Sequence, residues 1–160
     1  MADLAWLLPY ILFLHVIGAI IAFGPTFSFA VIGAMGGAEP QHANFATRVS
    51  ARISDRIIKP LAIFQGITGV ALILISGRNL MASTWLVVSI VLYLAALYYA
   101  LFIQARHVAR VIELTSAPPP PDAPGPPPGL MAEVAAVRRG GMILGLLIVS
   151  IVFLMVVKPF

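Results

Sequence analysis

One histidine lies inside a long uncharged stretch of the sequence, where an ionisable side chain is costly to bury. No Asp, Glu, Lys or Arg occurs between Asp3 and Glu39, and His15 lies within that stretch. It is about eleven residues past Leu4, which at 1.5 Å per residue places it roughly 15 Å down, near the middle of a bilayer. Ionisable residues inside membranes tend to be functional, so His15 is the first candidate for chemistry.

Three explanations of His15 are open from sequence. A neutral imidazole can simply bond to a polar neighbour at similar depth: Tyr93, Ser89 or Ser150. A proximal imidazole in an apolar cleft between helices can ligate the iron of haem b. A proton relay or a transition-metal path would need further polar groups at the same depth. Tyr93 is then either packing filler or a hydrogen-bond donor to His15 or to a cofactor propionate.

No second histidine is spaced to share a metal with His15, because His42 and His107 fall outside the predicted spans. A haem bound at His15 is therefore expected to be five-coordinate. All six acidic residues also fall outside the spans, and the chain has no cysteine and no phosphate loop. These absences disfavour a hydrolase, a thiolate metal site and a transporter that relies on an intramembrane carboxylate.

The composition is that of an integral membrane protein. The chain has 160 residues, of which 61% are hydrophobic and 10% charged, against roughly 25% charged in soluble domains. Apolar runs long enough to cross a bilayer predict an all-α four-helix bundle in one domain, with spans at about 4–29, 60–77, 81–104 and 141–157. Pro25 should kink the first span. The short link near Arg78 predicts that the second and third spans form an antiparallel hairpin.

The positive residues predict the orientation of the bundle. Eight of the ten Lys and Arg residues lie in the two longer loops, and only Arg78 and Lys158 lie on the other side. Because positive loops stay in the cytoplasm, both termini are predicted outside, in a bacterial-type inner (plasma) membrane. The net charge of +4 arises beside apolar segments, so it predicts contact with lipid and not with nucleic acid.

The two longer loops have distinct compositions. Residues 41–59 predict an amphipathic helix that leads into the second span and packs along the membrane surface, where its basic stripe would touch anionic headgroups: Arg48, Arg52, Arg56 and Lys59. The alternative is a basic pocket for an anionic ligand. Residues 117–129 contain eight prolines, which predict a polyproline II spacer between the third and fourth spans or a docking segment for an aromatic-grooved partner.

Small residues within the spans predict close helix packing, because they let backbones approach in lipid. Six residues form pairs at three- or four-residue spacing: Gly18 and Ala22, Gly66 and Gly69, and Gly141 and Gly145. Packing within the bundle is the favoured interpretation. The alternative is a homodimer face on the fourth span, where the last pair forms a GxxxG motif.

Three segments in this order resemble a known superfamily. They are Leu14-His15-Val16-Ile17-Gly18-Ala19, then residues 52–60 with Arg52 and Lys59-Pro60, and the ending Val156-Val157-Lys158-Pro159-Phe160. Together they resemble the HemJ-type protoporphyrinogen oxidases, and more closely an uncharacterised family of predicted bacterial integral membrane proteins, with CopD-like domains more distant. The resemblance implies that His15 is a haem b ligand. The chain lacks the Arg, Lys and Tyr-His pair of the HemJ-type enzymes, having Tyr98-Tyr99-Ala100 where the pair would be, so their activity is not implied.

These observations give three hypotheses of function. The first is a haem-b-binding membrane protein, which as an enzyme would be a haem-dependent oxidoreductase. The second is a non-catalytic accessory or scaffold subunit that holds lipids or partner helices in a larger complex. The third, least favoured by the residues, is a small-solute or metal transporter.

Overall fold

Four long apolar helices make up the computed structural model, which describes residues 2–80, 82–117 and 125–159. The helices are α1 (Leu4–Ala38), α2 (Pro40–Ser76), α3 (Thr84–Leu114) and α4 (Leu130–Val157). Each contains 28 to 37 residues, more than the ~20 needed to cross the hydrocarbon. The predicted all-α fold with four helices able to span a membrane is confirmed.

The helices extend well past the predicted spans at one end of the bundle. α1 continues to Ala38 instead of emerging near Phe29, and α4 begins at Leu130, eleven residues before the predicted Gly141. We call this end, formed by residues 30–56, 105–117 and 125–139, the basic end. The opposite end, with residues 77–80, 82 and 83 and the end of α4, is the link end.

Residues 41–59, predicted as an amphipathic helix leading into the second span, form the first half of α2, which continues without a break into the apolar span. Only Glu39 separates α1 from α2, so the two helices form a tight hairpin at the basic end. This half of α2 packs against the last part of α1 and the last part of α3.

Two kinds of local departure interrupt the α-helical hydrogen bonding. Pro25 lacks an N–H donor, and the helix tightens to a 3₁₀ segment at Gly24–Phe27, where the Thr26 hydroxyl donates to the Phe23 carbonyl at 2.6 Å. α2 and α3 each contain a π-helical segment, at Ser54–Ile58 and Tyr99–Gln104. The regular α-helical parts are Leu8–Phe23, Ser28–Ala38, Ala43–Ile53, Lys59–Ser76, Thr84–Tyr98, Ala105–Leu114 and Leu130–Val157.

The closest backbone packing pairs α1 with α2 and α3 with α4. The sequence predicted α2 and α3 as the hairpin neighbours because their link is short. The link, residues 77–83, does join them, but side chains carry most of their contact. At the link end, buried Trp85 packs with Leu86 and Leu154. The cations of Arg78 and Lys158 lie 5.8 and 5.6 Å from the centre of its indole ring.

Polar side chains join the helices at the basic end. Asn44 of α2 donates to the Ile112 carbonyl and the Thr115 hydroxyl of the α3 end, both at 3.0 Å. His107 Nδ1 of α3 and a carboxylate oxygen of Glu133 of α4 form a hydrogen bond at 2.7 Å. Gln104 of α3 donates to the Val137 carbonyl of α4 at 3.0 Å.

The proline-rich prediction falls mostly outside the described residues, since residues 118–124 are not among them. The described part, residues 125–129, leads into α4 through Gly129. Its φ of +84° lies in the left-handed region that favours glycine.

Candidate functional site

His15 lies in the seam between α1 and α2. His15, Gly18 and Ala22 follow one another at spacings of three and four, so they share one helical face. That face meets α2: Gly18 is buried and Ala22 has no exposed surface. The imidazole Nδ1 lies 2.8 Å from the Thr68 hydroxyl of α2. The hydrogen-bond partner of His15 is therefore a threonine of the second helix.

The Thr68 hydroxyl indicates which nitrogen of His15 carries the proton. Its oxygen lies 3.1 Å from the carbonyl oxygens of both Phe64 and Gln65, one turn earlier in α2. A carbonyl only accepts, so the single hydroxyl proton serves these oxygens and the hydroxyl accepts from the imidazole. This favours the tautomer with hydrogen on Nδ1. Nε2 then carries a lone pair.

The three sequence-predicted partners of His15 take other roles. The Tyr93 hydroxyl donates to the Ala62 carbonyl of α2 at 2.8 Å, so it joins α3 to α2 instead of contacting His15. Ser89 is fully buried and donates to Trp85 of its own helix at 2.7 Å. No hydrogen bond links Ser150 to His15 in the described part of the chain. Sequence gives no signal that singles out Thr68, because it does not give the relative rotation of α1 and α2.

Glycines bring the helices of this seam together. A Cβ on Gly69 would lie 3.4 Å from His15 Cε1, and one on Gly18 would lie 3.1 Å from the Gln65 side-chain oxygen. A Cβ on Gly66 would lie 2.6 Å from the Tyr93 hydroxyl. The distances at Gly66 and Gly18 leave almost no room for a larger residue, whereas 3.4 Å at Gly69 is ordinary contact. Gly18 and Gly66 thus set how closely α1, α2 and α3 approach.

The prediction that Gly141 and Gly145 pack within the bundle is wrong. Among the described residues, no atom of another helix lies within 4 Å of a Cβ placed on either residue. The glycine of α4 that does meet another helix is Gly140, where a Cβ would overlap the Gln104 amide and approach the Tyr99 hydroxyl to 2.9 Å. The error is one residue along the helix, which turns the side-chain direction by about 100°.

Gln65 adds an unpaired polar atom next to the histidine seam. Its side chain is 8% exposed, and its Oε1 has no hydrogen-bond partner among the described residues. It lies one helical turn from Thr68 on the same face of α2. A buried polar atom without a partner is unfavourable. The seam therefore presents an acceptor on Gln65 in addition to the lone pair on His15.

His15 is the single ligand that the seam offers to a metal. Within the described ranges, no three His, Asp or Glu side chains come close enough to hold a metal ion together. His107 is engaged with Glu133, and His42 lies beside Glu39 at 3.8 Å, both at the basic end. A metal bound at His15 would need its remaining ligands from a cofactor such as a porphyrin.

Replacing Tyr93 by phenylalanine should loosen the contact between α3 and α2. The change removes the 2.8 Å bond to the Ala62 carbonyl, and hydrogen bonds between membrane helices contribute about 0.6 kcal/mol on average. Thermal unfolding in detergent should show a small decrease in stability. Tyr98→Phe is the matched control, because Tyr98 is 60% exposed and should tolerate the change. Equal effects of the two substitutions would contradict the assigned contact.

Comparison with known proteins places the chain among membrane proteins. Residues 9–159 match the model of a family described as predicted integral membrane protein (DUF2269). No curated protein and no solved structure matches. The match supports the resemblance to an uncharacterised family of predicted integral membrane proteins. It gives no support for a relation to HemJ-type enzymes or CopD-like domains.

Proposed function

We propose that this chain, which belongs to the DUF2269 family of predicted integral membrane proteins, binds haem b through Nε2 of His15. The observation that carries the proposal is the bond from His15 to Thr68, and from Thr68 to the helix carbonyls. Histidines that ligate metals usually donate their other ring N–H to a fixed acceptor, which orients the ring and raises the basicity of the ligand. The bonding around Thr68 supports such a role for His15.

The surroundings of His15 are compatible with a porphyrin. The imidazole is only partly buried, and the α1 residues on either side of it, Leu14 and Val16, are 43% and 49% exposed. A macrocycle could reach the ring from the apolar surface of the bundle without separating α1 from α2. Haem would supply one-electron redox or small-ligand chemistry. The chain would supply the axial imidazole, its orientation through Thr68, and an apolar setting.

Haem binding from the lipid-facing side of His15 does not require a cavity of haem size inside the bundle. The small-residue faces near His15 are already filled by neighbouring side chains, as at Gly66 and Gly69. The proposal therefore assigns the porphyrin to the lipid-facing side of the α1–α2 seam. It predicts a five-coordinate iron, because the other two histidines, His42 and His107, lie at the basic end beside Glu39 and Glu133.

Haem titration tests the proposal. Protein purified in detergent should bind added haem in a saturable way and give a Soret band typical of imidazole ligation. The ferrous form should bind carbon monoxide, because its sixth position is open. A spectrum identical to that of free haem in the same detergent would contradict the proposal.

Thr68→Val should weaken haem binding while leaving the fold intact. Valine has nearly the shape of threonine but cannot accept the His15 proton or fix the ring. Loss of such an outer-shell partner typically costs 10–100-fold in metal affinity. Haem titration of this variant would check it. Thr47→Val is the control, since the Thr47 hydroxyl bonds only its own helix carbonyl, at Ala43.

We further infer that the basic end faces the cytoplasm and that both termini lie outside the plasma membrane of a bacterial-type cell. The eight-to-two distribution of Lys and Arg supports this orientation. The chain has no cysteine, so single cysteines can report it. His42→Cys should be shielded from a membrane-impermeant maleimide in intact cells, and Leu80→Cys should be labelled. The reverse pattern would invert the assignment.

A second candidate is an accessory subunit of a larger membrane complex. The observation that favours it is the open face at Gly141 and Gly145, where a partner helix or a second copy could approach closely. Co-purification of a stable partner that depends on this face, together with colourless protein, would favour this candidate over haem binding.

A further inference from the structure

An apolar groove opens between the two helices of the α1–α2 hairpin at the basic end. Its volume is about 390 Å³. The walls are mostly apolar and come from both helices: Ile32, Met35, Gly36, Phe45, Ala46 and Val49. Phe45 is 68% exposed and Met35 61% exposed. Glu39 and His42 close the tip of the groove, where they lie 3.8 Å from each other.

A row of arginines continues from this groove along α2. Phe45, Arg48, Arg52 and Arg56 follow at spacings of three, four and four, which keeps them on one side of the helix, and all four are exposed. The row therefore leads from the groove toward the membrane span that begins near Lys59.

The guanidinium groups of this row have no protein partner in the described part of the chain. The carboxylates at this end are used elsewhere: Asp55 by Lys59 at 2.6 Å, Glu39 by His42, Glu113 by Arg110, and Glu133 by His107. Three positive charges are thus left for a ligand. An anion that could use them would have to sit beside an apolar surface.

The depth of the row matches a phospholipid headgroup. Counting about 20 residues of hydrocarbon from Ser76 at the link end reaches residue 57. Arg56 and Arg52 then lie at headgroup level, and Arg48 one turn beyond. The apolar face of the hairpin, with exposed Val31, Met35 and Phe45, would meet water if it projected straight from the bilayer. Contact with lipid removes that cost.

We propose that the hairpin binds an anionic phospholipid, with its phosphate on Arg48 and Arg52 and an acyl chain drawn out of the bilayer into the groove between α1 and α2, which lies beyond headgroup level. Guanidinium pairs with phosphate through parallel hydrogen bonds and is more weakly hydrated than an ammonium. The groove supplies the apolar contact that a free anion cannot use. Charge and apolar surface together select an anionic lipid over a zwitterionic one.

Native mass spectrometry of the full chain tests this proposal with defined lipids. Dioleoyl phosphatidylglycerol should bind more tightly than dioleoyl phosphatidylcholine, and dihexanoyl phosphatidylglycerol should bind far more weakly than the long-chain form. Inorganic phosphate should not compete. Equal binding of the two dioleoyl lipids, or equal binding of the short and long chains, would overturn the proposal.

Arginine variants locate the site. Arg48→Gln with Arg52→Gln should weaken phosphatidylglycerol binding about fivefold for each arginine, the size expected for one basic residue at an anionic surface. Arg106→Gln with Arg138→Gln removes the same charge from exposed residues of α3 and α4 and should have little effect. Equal losses in both pairs would show unspecific attraction and refute the site. If the first pair does not fold, the comparison of lipids on the unchanged chain decides alone.

Discussion

Replacing His15 by glycine should abolish haem binding, and free imidazole added to the variant should restore it. The substitution removes the one imidazole of the α1–α2 seam, while Thr68 and its helix carbonyls remain. Imidazole added to the medium can occupy the vacated space and ligate the iron. The Soret band of imidazole-ligated haem should disappear in the variant and return on addition. Absorption spectroscopy of the detergent-purified protein measures both steps.

The recovery separates a ligand from a structural residue. If His15 only joined α1 to α2, free imidazole added to the glycine variant would not restore the haem spectrum. His107→Gly is the matched control, because His107 is also partly buried and pairs with Glu133, but lies at the basic end. It should keep the wild-type spectrum. If the band were lost only in the His107 variant, the haem ligand would be His107 and not His15.

Gly140→Val should destabilise the bundle strongly, and Gly141→Val should not. A side chain on Gly140 would overlap the Gln104 amide and meet the Tyr99 hydroxyl at 2.9 Å. Gln104 cannot turn aside freely, since it donates to Val137 at 3.0 Å. Overpacking of this kind costs about 1–3 kcal/mol, so the unfolding temperature should fall by roughly 5 °C. Thermal unfolding monitored by tryptophan fluorescence measures it.

The neighbouring glycine makes the comparison sharp. Gly141 is in the same helix and the same substitution carries the same helix propensity cost, but nothing lies within 4 Å of its Cβ position. The difference between the two variants therefore reports packing alone. Equal unfolding temperatures would contradict the contact between α3 and α4 at Gln104. A larger loss in the Gly141 variant would point to an assembly face on α4.

The helices were predictable because their signal is length and composition. Uncharged runs near His15 and between Pro60 and Gly77 are long enough to cross a bilayer whatever their partners. Their ends at the basic side were not predictable in the same way. Residues 41–59 have the amphipathic pattern of a helix that leads into the span, but the sequence does not indicate that Asn44 in this helix contacts the end of α3.

The central residue of the candidate site, His15, was predictable from sequence, but its contacts with other side chains were not. His15 was evident from its burial in an uncharged run, which needs no knowledge of neighbours. Its partner Thr68 was missed, because sequence does not give the relative rotation of two helices. The same uncertainty misassigned Tyr93 and the Gly141–Gly145 pair. Helical phase errors of one residue decide such contacts, and small residues occur on several faces of these helices.

The haem content of the unchanged chain tests the central claim most directly. Protein purified from haem-replete cells should contain about one haem b per chain, measured as the pyridine haemochromogen against protein concentration. That ratio would show that His15 and its setting hold the cofactor in the membrane. A colourless preparation that also fails to take up added haem would contradict the account.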